Sequence, residues 1–136
     1  MFAKSGDSGG SLSLALGSRL AIKTLIASRN NAYLVPEVQS TVHDVVTSLD
    51  AIATQGPLFE HLTAPSNFER YEQFELLAEV RSAFGDCDLK TRLSSILANE
   101  DDVVKRQENI DLAIEFFTAL ESRALQRYNN AVNPSF

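Results

Sequence analysis

A chain of 136 residues, 44% hydrophobic and with a net charge of -6, has the size and composition of one globular domain with its own core. Its single cysteine excludes an internal disulfide framework and favours a reducing, cytoplasmic setting. No run approaches the ~20 apolar residues of a membrane-spanning helix, and the most apolar stretch, residues 12–26, is broken by Arg19 and Lys23, which also argues against a secretory signal.

Charge is unevenly spread. Residues 1–36 carry Lys4, Arg19, Lys23 and Arg29 against Asp7 alone, ahead of a strongly acidic body. The expectation is that the first helix docks on acidic groups elsewhere in the chain. An organelle transit peptide is the alternative reading of this acid-poor start.

Residues 1–11, MFAKSGDSGGS, are small, polar and glycine-rich, which predicts a flexible leader. A first helix follows from Ser11 or Ser13 to Ser28, and Asn30-Asn31 ends it. Leu14, Ala21, Ile22, Leu25 and Ile26 share one face, while Leu12, Leu16 and Leu20 form a second row beside Arg19 and Lys23. Two apolar rows imply two neighbours.

The second helix opens with Pro36, whose missing N–H suits a first helical position, and Gly56-Pro57 stops it. Val38, Val42, Val45, Val46, Leu49, Ile52 and Ala53 make the cleanest apolar stripe in the chain. Valine lowers helix propensity, so tertiary burial must decide this segment. Residues 57–63 form a turn, or a loop that tucks Leu58, Phe59 and Leu62 under the bundle.

Ser66 and Glu69 have capping-box spacing and open a third helix that runs to Phe84 before Gly85. Phe74, Leu77, Val80 and Phe84 lie on its apolar side. Asp86 or Asp88 caps a short fourth helix carrying Leu89, Leu93, Ile96 and Leu97. A fifth helix, from Asn99 to Asn130, has no proline or glycine and spans ~45 Å at ~1.5 Å per residue. Its core stripe is Val103, Ile110, Ala113, Ile114, Phe117, Leu120, Ala124 and Tyr128, with Leu112, Phe116 and Ala119 on another flank. Acids at residues 100–102 and Arg123 and Arg127 near the far end suit the helix dipole. Residues 131–136 form a short tail after this helix. These elements predict an all-α fold, an elongated and mostly antiparallel bundle of four main helices plus one short helix, as a single domain over residues 12–130.

Chemistry is sparse. Residues 6–10 read GDSGG, which resembles the sequence around the nucleophilic serine of chymotrypsin-like proteases. That family places the serine after its histidine and aspartate on a β scaffold, whereas here nothing precedes the motif and helices follow it, so the reading is rejected. The same leader lacks the Gly-Lys-Ser/Thr of a phosphate loop. Glu69, Glu72, Glu75 and Glu79 recur at helical spacing, but neither His43 nor His61 stands three residues after a glutamate, as a carboxylate-bridged metal pair would need. Glu72, Glu75 and Glu79 are therefore read as a solvated stripe, or as a docking surface for a basic partner. Cys87 lies between Asp86 and Asp88, whose field disfavours a thiolate.

Lys90, Arg92, Lys105 and Arg106 would serve a helix–turn–helix, but interleaved acids and a pI near 4.8 oppose nucleic-acid binding. No cofactor, metal or enzymatic chemistry is expected. The leading expectation is a non-enzymatic protein-interaction module (adaptor, chaperone or inhibitor), homodimeric or bound to a larger protein. It would bind through the surplus apolar rows Leu12, Leu16, Leu20, Leu112, Phe116 and Ala119 and the acidic stripe. A helix–turn–helix regulator and an acidic nucleic-acid mimic are the alternatives.

Overall fold

A computed structural model describes residues 2–29, 36–59, 65–84, 91, 94 and 103–132. Among them the chain forms α1 (Phe2–Ser28), α2 (Pro36–Gln55), a 3-10 turn (Gly56–Phe59), α3 (Pro65–Ala83) and α4 (Val103–Val132), and no strand. Thr91 and Ser94 are also helical. Apart from these two residues, the expected short fourth helix lies outside the described residues, as do Asn99, the acids at 100–102, His61 and Cys87. The bounds of α2 follow from Pro36 and from Gly56-Pro57 as expected, and α4 is the expected long helix, 30 residues or ~45 Å.

The expectation for residues 1–11 is corrected, because α1 begins at Phe2. Helix-interior glycine costs ~1 kcal/mol relative to alanine, and here docking on α3 offsets that cost. A β-carbon on Gly10 would stand 2.5 Å from the backbone oxygen of Glu69 and 2.9 Å from its Cα. Only glycine allows so close an approach. The Ser11 backbone N–H donates to Oε1 of Glu72 at 2.7 Å, and Nε2 of Gln73 donates to the Gly10 carbonyl at 3.2 Å.

Ion pairs fix the helix directions. Arg29 reaches Asp111 at 2.6 Å and Arg19 reaches Glu121 at 2.7 Å, so α1 and α4 are antiparallel. Glu79 with Arg123 (2.8 Å) and Glu72 with Arg127 (3.1 Å) make α3 and α4 antiparallel too. Consequently α1 and α3 run the same way side by side, and α2 returns along both of them, on the side away from α4. The basic start of the chain does dock on acids of the body, as the charge pattern predicts.

The core lies inside the α1–α3–α4 triangle. From α4 come Ile110, Ala113, Phe116, Phe117, Leu120 and Ala124, from α3 Leu76, Leu77 and Val80, and from α1 Leu14, Ala15, Ala21 and Leu25. Phe116 packs edge-on against both Phe84 and Phe117, with centroids 5.5 and 5.7 Å apart. Small buried residues, Ser11, Ala15, Ser18, Ala21 and Ser28, let α1 approach closely. The Ser18 and Ser28 hydroxyls donate to carbonyls four residues back, at 2.8 and 2.6 Å, so their burial leaves no orphaned hydroxyl. Three apolar expectations are corrected: Ile26, Val103 and Leu58 are exposed, because their sides of α1, α4 and the 3-10 turn meet no described helix.

Candidate partner-binding groove

α1 and α2 touch at one end and part at the other. Where Ala21, Thr24 and Leu25 face Thr41, Val42 and Val45, the space left is about 10 Å³, at most room for one water. Val42, at this closed end, is the buried residue of α2. Toward the start of α1 the gap widens into a groove of about 590 Å³. Its α1 wall is Ser13, Gly17 and Leu20, its α2 wall Asp44, Val45, Ser48, Leu49 and Ile52, and Leu14 and Phe117 lie at its base. It continues into a further 220 Å³ beside Gln55, Gly56 and Arg70, with Ile52 and Gln73 common to both parts.

The groove exists because the α1 wall is small. Beyond its own helical turn, no described residue stands within 4 Å of the β-carbon that Gly17 lacks, and Ser13 is little larger. The valine-rich stripe of α2 therefore stays half covered, with Val38, Val45, Val46, Leu49, Ile52 and Ala53 only partly buried. Leu20 stands on the rim, 57% exposed, and Leu16 one turn earlier is 58% exposed.

Half of this lining is apolar: Leu14, Leu20, Val45, Leu49, Ala51, Ile52 and Phe117. Asp44 is the one titratable side chain lining the wider part, with Arg70 beside its continuation, and Asp44 points to solvent with its neighbour His43, 3.9 Å away. No group of three or more His, Cys, Asp and Glu placed to hold a metal occurs among the described residues. Nor is any described helix long and apolar enough to cross a membrane. The hydrogen bond from Arg29 holds the Asp111 carboxyl below its ordinary pKa and raises that of the guanidinium, but this pair lies on the α1–α4 flank, away from the groove.

The structure divides the residues expected to bind a partner. Leu16 and Leu20 are exposed, and Leu12 and Leu112 are half-buried. Phe116 is corrected to core, 1% exposed, and Ala119 packs beside it, because α4 has a neighbour on each side. Glu72 is also corrected, since it is 3% exposed and carries the Ser11 N–H and Arg127. Glu75 and Glu79 are about half exposed and reach Arg127 and Arg123. The basic partner of the acidic stripe is thus α4 of the same chain. Arg106, one of the four basic residues that would serve the disfavoured helix–turn–helix, is 2% exposed, while Lys90 and Arg92 lie outside the described residues. Sequence reasoning missed the groove, although Gly17 inside an apolar run was a visible signal.

No protein-family model, curated protein or solved structure matches this chain at significant similarity. Fold and site together define an all-α bundle with an open apolar groove between its first two helices.

Proposed function

We propose that this chain is a non-enzymatic protein-interaction module, an adaptor, chaperone or inhibitor of the reducing cytoplasm, whose α1–α2 groove receives an apolar helix face of another polypeptide. The observation that carries the reading is the groove itself, about 590 Å³ between a notch at Gly17 and the half-covered stripe Val45, Leu49 and Ile52. Apolar surface of this kind, rimmed by polar residues, marks contact with another protein. Three side chains at i, i+4 and i+7 of a docked helix span ~10 Å, and the α2 wall from Thr41 to Ile52 offers ~17 Å. Asp44 on the rim, on a helix without lysine or arginine, favours a basic flank on the occupant.

Photo-crosslinking inside cells tests this. A benzophenone amino acid replacing Ser48, in the groove wall, is expected to capture a defined polypeptide through an amphipathic segment mapped by mass spectrometry. The same residue replacing Glu115, on the exposed side of α4, is expected not to. Equal or absent adducts at the two positions refute the reading.

A further inference from the structure

We infer that the occupant of the groove is α1 of a second copy of this chain, in a two-fold symmetric dimer; this rests on the interaction reading above and names its partner. Gly9, Gly10 and Gly56 each have a neighbour of the same chain standing where a β-carbon would go. Gly17 does not. A glycine inside a helix costs ~1 kcal/mol, and at Gly17 no contact among the described residues offsets that cost. Beside it, Leu16 and Leu20 are more than half exposed.

The same patch of α1 therefore carries a knob next to a notch. A two-fold interface uses one patch twice and needs both halves on it. Two α1 helices laid antiparallel about a two-fold axis between Gly17 and Leu20 place Leu20 of each chain over the notch of the other, toward Val45 and Ile52. This covers the groove and the exposed leucines at once.

Charge selects the same occupant. Beyond Gly10, every charged residue of α1 is basic (Arg19 and Lys23), and α2 carries Glu37, Asp44 and Asp50 without lysine or arginine. The α1 wall of the groove is uncharged and the α2 wall carries Asp44, so an incoming α1 brings its exposed Lys23 toward an acidic wall within about a Debye length of ~8–10 Å, while Arg19 stays paired with Glu121 of its own chain.

Light scattering of the full chain across a dilution series, with parallel circular dichroism, tests this. The wild type is expected to be a dimer of 14.9 kDa chains. Leu20→Asp, which removes the knob, and Gly17→Leu, which fills the notch, are each expected to raise the dimer dissociation constant about 100-fold while leaving helix content unchanged, because two partly exposed leucines per dimer lose their burial. Isotope-filtered NOEs in a mixed labelled and unlabelled dimer are expected to join Leu20 methyls of one chain to Val45 and Ile52 of the other. A monomer at every concentration overturns the inference. If the Ser48 crosslinker then captures a different polypeptide, the interaction reading stands without it, and if it captures nothing, both fall. A dimer indifferent to both substitutions and lacking these NOEs also overturns it.

Discussion

Replacing Gly10 with alanine is expected to weaken the fold, although alanine is the better helix former. The propensity gain is ~1 kcal/mol. Against it, the added methyl would stand 2.5 Å from the Glu69 carbonyl oxygen and 2.9 Å from its Cα. Both are backbone atoms of α3 and cannot rotate away, so α1 must lift. Overpacking of this kind costs ~1–3 kcal/mol. The same lift stretches the 2.7 Å bond from the Ser11 N–H to the buried Glu72 carboxylate, and hydrogen bonds to charged groups contribute ~1.5–3 kcal/mol. Taking partial loss of that bond, the net destabilisation is about 2 kcal/mol, or roughly 7 °C in Tm for a chain of this length.

Two neighbouring glycines supply the controls. At Gly9 the new methyl meets only the carboxylate end of Glu69, which can swing aside, and at Gly17 it meets nothing. Gly9→Ala is expected to be near neutral and Gly17→Ala to stabilise by up to ~1 kcal/mol. Urea denaturation followed by far-ultraviolet circular dichroism, at two protein concentrations so that self-association does not enter, gives all three values. A Gly10→Ala variant stabilised as much as Gly17→Ala would refute the docking of the start of α1 on α3.

Glu72→Ala removes both the acceptor of the Ser11 N–H and the buried partner of Arg127; a loss of about 2–3 kcal/mol is expected by urea denaturation, against less than ~0.5 kcal/mol for the exposed Glu75→Ala. Phe116→Asp buries a charge in the core and is expected to abolish the cooperative melt, whereas Leu16→Asp, on an exposed side, keeps it; a folded Phe116→Asp would contradict the core assignment. The Arg29 hydrogen bond lowers the Asp111 pKa, so the stability from that pair is complete above the ordinary carboxylate range and lost as pH falls through the lowered value. The Tm difference between wild type and Asp111→Asn is therefore expected to shrink to nothing in strong acid, and a difference constant with pH would contradict the pairing.

Local punctuation made some elements readable. Pro36 and Gly56-Pro57 act within one or two helical turns, and the bounds of α2 follow them, while the long last helix, expected to end at Asn130, continues to Val132. Gly10 misleads for the opposite reason, since glycine means flexibility locally, yet its role is set by Glu69, far along the chain. The rows Leu12-Leu16-Leu20 and Leu112-Phe116-Ala119 look alike in sequence but part in the fold. α4 lies between α1 and α3 and buries its second flank, while in the second row of α1 Leu16 and Leu20 stay more than half exposed, Leu20 on the rim of the open groove. Burial belongs to a pair of faces, and spacing reports only one.

The acidic stripe carries the same lesson with a usable signal. Arg123 and Arg127 stand four residues apart, matching the rise of Glu72, Glu75 and Glu79, so the complementary stripes of these two helices can be paired on spacing and charge alone. The groove has a comparable signature. α2 carries the cleanest apolar stripe in the chain and yet is the least buried of the four helices, because the α1 wall opposite offers Ser13 and Gly17 where a core would need large side chains. A strong stripe facing a weak one leaves apolar surface that the described residues do not cover. The mismatch between the two walls, and no single residue, is what supports a second polypeptide in the α1–α2 groove.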